Sequence, residues 1–258
     1  MSILFNHSSG HFLENDGASI YYEEAGRADA PALLLLHGGF GHLEEFNPIL
    51  PELAPQLRLI GIDSRGHGRS SLGEKGLSYE LLQKDVEAVV KHLGLSEFAI
   101  LGFSDGGIVA YRLAALTSLP ITKIVTVGAA WHSKSEAFIR ENRSKFTSDS
   151  MRQRLPEYYE AYQRLSPAPD FDQFVDLLLD MWVDESEQGH PNEAVANISC
   201  SVLAARGDHD HLVPLADIAE LAGIAKNVAF SNIPFAGHAA FNDQPEVFLL
   251  QMKQFLEL

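Results

Sequence analysis

The sequence predicts an α/β protein: a mostly parallel central sheet, helices on both of its faces, and a small helical insertion. Three observations carry this. Short, nearly continuous apolar runs alternate with amphipathic segments, the pattern of strands buried on both faces between covering helices. The chain has 258 residues, 46% of them hydrophobic, which suffices for one large core and excludes disorder. Between Trp131 and about residue 191 the strand rhythm stops, and apolar residues recur at helical spacing instead.

The expected strands are 19–23, 32–36, 57–63, 98–102, 123–127, 201–205 and 228–233. Between the third and fourth lies the clearest helix. Ser78 is its N-cap, Leu82, Val86, Val89, Val90 and Leu93 form its apolar stripe, and Gly94 stands just past its end. Further helices are expected after Ser104, from about Leu215, and from Pro245 to Leu256. In the interrupting stretch, Tyr158, Tyr159, Tyr162 and Leu165 form one helical stripe, and Phe174, Val175, Leu178, Leu179 and Trp182 another. Residues 132–190 therefore read as an inserted helical unit, too long for an ordinary loop, with 1–131 and 191–258 as the core domain. The insertion is either a lid over a pocket or extra helices packed for stability.

The chemistry centres on Gly102-Phe103-Ser104-Asp105-Gly106, set between a short apolar run and a helical pattern. A serine held at a tight strand-to-helix corner needs glycine two residues either side, where a side chain would collide with the turn, and the strain holds the hydroxyl out. A frame centred on Asp105 would put Phe103 where the turn needs no bulk. A serine hydroxyl is a poor nucleophile until a base takes its proton. His238, in a loop of small residues after the last strand, is the expected base. Asp210, in Arg206-Gly207-Asp208-His209-Asp210, is the acid preferred over Asp208 to orient the imidazole.

The order Ser104, Asp210, His238, together with GFSDG, LLLLHGGF and DSRGHGRS, resembles the α/β-hydrolase superfamily, serine-nucleophile branch with a helical cap, from about Ile20 to Leu256. The resemblance implies the α/β-hydrolase fold, a cap after the sixth strand, and an acid followed shortly by Val213-Pro214. It also implies an oxyanion hole from the backbone N–H of Asp105 and that of Gly39, with Phe40 the alternative. His37 and the DSRGHGRS loop are expected to be structural; the latter lacks the Lys-Ser/Thr ending of a phosphate loop. Relatives that cleave aminoacyl esters share the GxSDGG elbow, so the Asp105 carboxylate either meets a cationic substrate group or is hydrogen-bonded within the elbow. Phe40, Phe103, Trp131 and Phe241 are the expected apolar pocket walls, which the aromatic side chains of the insertion could extend.

The expected function is hydrolysis of a small to medium carboxylic ester through an acyl-enzyme, with no cofactor and no metal. Perhydrolase or haloperoxidase activity, cleavage of a carbon–carbon bond beside a carbonyl, and a slow-turnover ligand receptor are the alternatives. The net charge of −16, from 35 acidic against 19 basic residues, argues against nucleic acid and anionic membrane surfaces as partners. His209 and His211 lack the further spaced ligands of a metal site. Cys200 cannot form an internal disulfide, and no segment approaches the ~18 apolar residues of a membrane span. A cytoplasmic protein acting on a small molecule is the expectation; its oligomeric state is not legible.

Overall fold

The computed structural model describes residues 3–258. Among them one eight-stranded sheet runs through the molecule: β1 (His11–Asn15), β2 (Ala18–Gly26), β3 (Ala32–Leu36), β4 (Arg58–Ile62), β5 (Phe98–Phe103), β6 (Ile121–Val127), β7 (Ser201–Gly207) and β8 (Val228–Ile233). Ten α-helices accompany it: α1 (Leu50–Leu53), α2 (Tyr79–His92), α3 (Asp105–Leu116), α4 (Ala137–Glu141), α5 (Ser148–Arg154), α6 (Pro156–Leu165), α7 (Phe171–Trp182), α8 (Leu215–Ile224), α9 (Ala240–Asp243) and α10 (Pro245–Leu256). The strand order is β1-β2-β4-β3-β5-β6-β7-β8; β1 and β2 join antiparallel and the rest are parallel.

All seven expected strands are present; the inner ones are apolar runs buried on both faces, whereas β8, at the sheet edge, leaves Ala229, Phe230 and Asn232 exposed. Leu33, Leu34 and Leu35 in β3 are fully buried and divide between the two core clusters on opposite sides of the sheet. The eighth strand, β1, was not expected from the sequence. As an edge strand it is mostly exposed, Phe12 included, and so lacks apolar alternation. The turn Asp16-Gly17, with both φ values positive, is the Asp-Gly hairpin signal that announces it.

Helix α2 is built as its sequence requires. The Ser78 hydroxyl accepts a hydrogen bond from the Leu81 N–H, and Gly94 adopts a left-handed φ of +61° beyond the end. Between β6 and β7 the chain forms α4 to α7, with the two expected stripes falling on α6 and α7. No described helix is long and apolar enough to cross a membrane.

The DSRGHGRS loop is a buried joint. Arg65, fully buried, makes a two-pronged pair with Asp85 of α2 at 2.9 and 2.7 Å. The Asp63 carboxylate accepts from the Leu43 and Arg69 amides and from His7 Nε2. A buried pair contributes little net stability, but removing one partner strands the other charge. Asp85→Ala is expected to destabilise the protein by about 3–5 kcal/mol in denaturant titration. Arg65→Met combined with Asp85→Leu is expected to recover most of that loss.

Candidate active site

Strand β5 ends at Phe103 and α3 begins at Asp105, so Ser104 makes the whole corner, with φ 49° and ψ −117°. Such a conformation in a residue with a side chain costs on the order of 1–3 kcal/mol. The surrounding backbone enforces it. A Cβ on Gly102 would lie 2.4 Å from the Gly106 carbonyl oxygen, and one on Gly106 would lie 2.0 Å from that of Leu36. The Ser104 N–H donates to Val127 O at 2.8 Å, and the Gly106 N–H donates to His37 O at 3.0 Å. The corner is thereby tied to β6 on one side and to the loop after β3 on the other.

The structure brings the three sequence-predicted side chains together. His238 Nε2 lies 3.0 Å from Ser104 Oγ, and His238 Nδ1 lies 2.9 Å from Asp210 Oδ2. The second Asp210 oxygen accepts from the Leu212 and Val213 amides. Burial opposes ionisation of Asp210, but the His238 contact and these two amides outweigh it and hold the carboxyl below its ordinary value. An ionised Asp210 can only accept, so the hydrogen sits on Nδ1 and the Nε2 lone pair faces the serine hydroxyl. Buried Arg206 bonds Asp210 O, Val213 O and Asn232, fixing the loop that carries the acid. Gly128 makes room for the imidazole, since a Cβ there would come within 2.8 Å of the ring.

The N–H groups of Gly39, Phe40 and Asp105 meet no acceptor among the described residues, and all three residues line the same cavity as Ser104. Phe40 has a left-handed φ of +62°. His37 closes the loop from below: Nδ1 donates to Gly38 O, Nε2 accepts from the Ser64 N–H, and burial pushes its pKa down to about 3. It is a neutral strut, as expected. Sequence reasoning missed Glu45, which accepts from the Gly38 N–H and from the Tyr158 hydroxyl of α6. No local pattern marks it, because its partners come from distant segments.

The cavity has a volume of about 590 Å³ and is walled mainly by apolar side chains: Phe40, Phe103 and Ile108 from the core, and Phe138, Ile139, Met151, Leu155 and Trp182 from the segment between β6 and β7. Of the four expected wall residues, Phe40 and Phe103 line it and two do not. Trp131 is buried with its indole N–H donating to Asp217 O of α8, which turns the ring away from the cavity. Phe241, also buried, packs against Phe46, Phe103 and Phe248 behind the site. The Asp105 carboxylate accepts from the Tyr79 hydroxyl and the Trp182 indole N–H, each at 2.9 Å, so both oxygens are engaged. This favours the second of the two roles expected for it, and burial raises its pKa to about 6.

His209 is exposed, and His211 lines the cavity rim. Among the described residues, His7, His42 and Glu44 offer donor atoms within 4.8 Å of one another. There both His7 nitrogens already face carboxylates, Glu44 at 2.6 Å and Asp63 at 2.9 Å. Burial opposes a charge on His7, but these two partners raise its pKa, so a metal would have to displace a favoured proton.

A profile of the family described as "alpha/beta hydrolase fold" matches residues 31–145. With the sheet order, the elbow and the solved structures below, this shows the α/β-hydrolase fold. The chain has that fold. It is 29% identical over 212 residues to the serine hydrolase BPHL of Homo sapiens, covering 77% of this chain and 69% of that one. It is 34% identical over 122 residues to the bifunctional esterase/perhydrolase DCH of Acinetobacter calcoaceticus, covering 46% of this chain and 44% of that one. Over several of its curated relatives the chain spans only about a third to under half of their length. Among solved structures, a hydrolase from Pseudomonas aeruginosa superposes with a TM-score of 0.78 at 21% identity, covering 98% and 100% of the two chains. The enol-lactonase from Burkholderia xenovorans does so with 0.75 at 20% identity, covering 96% and 100%.

One lining residue stands outside this account. Glu136, mostly buried, has no side-chain hydrogen bond among the described residues, and burial raises its carboxyl from 4.5 to about 8. A group whose folded pKa is raised adds stability at low pH that is lost as pH rises through the folded value. The melting temperature of the wild type is therefore expected to fall relative to Glu136→Gln between about pH 4.5 and pH 8. Parallel profiles in differential scanning calorimetry would contradict the raised value.

Proposed function

We propose that the protein is a serine hydrolase that cleaves small to medium carboxylic esters through an acyl-enzyme. The observation that carries this is the hydrogen-bonded chain Ser104–His238–Asp210, which opens onto a mainly apolar cavity beside free backbone N–H groups. In the first half-reaction Ser104 Oγ bonds to the substrate carbonyl carbon while its proton passes to His238 Nε2. Asp210 stabilises the imidazolium that results. The carbonyl oxygen, now negative, is received by the Asp105 N–H with that of Gly39 or Phe40; one such donor is worth about 2.7–4 kcal/mol of barrier. The carbon–oxygen bond to the leaving group then breaks, and His238 gives its proton to the departing alkoxide. Water repeats the sequence on the acyl-enzyme, releases the acid and restores Ser104.

The segment 132–190 supplies one side of the cavity and works as a cap, so its side chains set the acyl and alcohol sizes accepted. The substrate is a small molecule and the setting cytoplasmic. A second reading has one specific support, the match to an esterase/perhydrolase: peroxide in place of water at the acyl-enzyme would give a peracid from the same residues.

Labelling with a fluorophosphonate is expected for the wild type and not for Ser104→Ala; equal labelling of both would remove Ser104 from the chemistry. Asp210→Asn, which allows the wrong imidazole tautomer, is expected to lower kcat on p-nitrophenyl butyrate by about 10⁴-fold with a small change in KM. Adding hydrogen peroxide during turnover and assaying for peracid separates the two readings.

A further inference from the structure

The cavity contains a carboxylate that neither the fold nor the proposed ester chemistry uses. Glu136 ends the short 3-10 turn Ser133–Glu136 that follows β6 and lines the cavity with only 17% of its side chain exposed. Buried carboxylates are ordinarily paired or hydrogen-bonded, because an isolated one is costly to ionise. Among the described residues Glu136 has no hydrogen-bond partner. Its one contact at ion-pair range is with His190, 3.9 Å away, and both ring nitrogens of that histidine are buried without hydrogen-bond partners. Burial pushes His190 down to about 3, so it is neutral and offers no counter-charge.

The surrounding charges do not neutralise Glu136 either. Asp105 and Asp217 act on it with the same sign, and Arg140 alone opposes them. Arg140 is committed elsewhere, to Ser133 O at 3.1 Å and to Glu185 at 3.0 Å. Arg154, the only lysine or arginine among the residues lining the cavity, is exposed and sits over the Phe146 ring. Asp105 also faces the cavity, but Tyr79 and Trp182 already occupy both of its oxygens. The open acceptor in the cavity is therefore Glu136 and not the elbow aspartate.

We propose that Glu136 is a specificity-determining residue that accepts hydrogen bonds from a protonated amine on the substrate, so that the favoured esters carry an ammonium group within reach of an otherwise apolar cavity. This rests on reading the cavity as the substrate site. An ammonium group answers each irregularity at once. It donates hydrogen bonds to an acceptor that lacks them, and it supplies the positive charge that two cavity carboxylates lack. The apolar walls accommodate the alkyl part. A neutral hydroxyl would satisfy the hydrogen bond but not the charge.

The test measures binding, so it does not depend on turnover. Isothermal titration at pH 8 compares n-hexylammonium with 1-hexanol on wild type and on Ser104→Ala. Both proteins are expected to bind the ammonium at least tenfold more tightly than the alcohol, and Glu136→Gln is expected to bring that ratio towards one. An unchanged ratio in folded Glu136→Gln, a wild-type ratio near one, or no binding of either probe would overturn the proposal. If Glu136→Gln does not fold, Glu136→Asp carries the test: its retracted carboxylate should reduce the ratio at least threefold, and full retention would overturn the proposal. An intact preference without hydrolysis of any ester would count against the hydrolase reading alone. Ester hydrolysis without the preference would count against the role of Glu136 alone.

Discussion

The site depends on one backbone constraint: Ser104 is held at positive φ between a buried strand and a buried helix. A serine relaxed into an ordinary conformation would no longer hold its hydroxyl at the corner. The glycines at 102 and 106 permit the corner, because a side chain at either would strike backbone within 2.4 Å. The Val127 carbonyl and the Gly106-to-His37 hydrogen bond then leave the corner no room to relax. Strain at this position is offset by the parallel register of β3, β5 and β6, whose fully buried residues hold the three strand ends side by side. The same register puts the loop after β3, with its free N–H groups, next to the serine.

Electrostatics builds the rest of the site on that corner. Asp210 is kept ionised by two backbone amides and the imidazole, which fixes the hydrogen on Nδ1 and leaves Nε2 to face the serine. Asp105, Glu45 and Glu136 are pushed the other way by burial, to about 6, 7 and 8. Two of these carboxyls also join the core to the segment between β6 and β7: Asp105 through Trp182 and Glu45 through Tyr158. The Glu45 contact reaches the Gly38 amide as well, so a movement of α6 is felt in the loop that carries the free N–H groups.

What was legible in the sequence follows from how local each constraint is. The elbow is legible because steric exclusion at positions 102 and 106 allows glycine alone, and strands such as Ala32–Leu36 are legible because burial on both faces demands unbroken apolar runs. The stripes of α6 and α7 show as periodicity for the same reason. The pocket walls were only partly legible. Being aromatic and near the triad in sequence does not say which side of a packed layer a ring faces, and Trp131 is turned by a carbonyl on α8 that lies 86 residues away. Glu45 and Glu136 acquire their character from burial among distant segments, which no window of sequence contains. The β1 strand carries its signal in the turn Asp16-Gly17 and not in its own residues.

The strained corner presents Ser104 Oγ to His238 on one side and to the free N–H groups of the cavity on the other. A crystal structure of the protein after reaction with a diethyl phosphoryl inhibitor tests this most directly. Phosphorus is expected to be bonded to Ser104 Oγ, with the phosphoryl oxygen within hydrogen-bond distance of the Asp105 N–H and of the Gly39 or Phe40 N–H. An adduct on any other side chain, or a phosphoryl oxygen turned away from these donors, would contradict it.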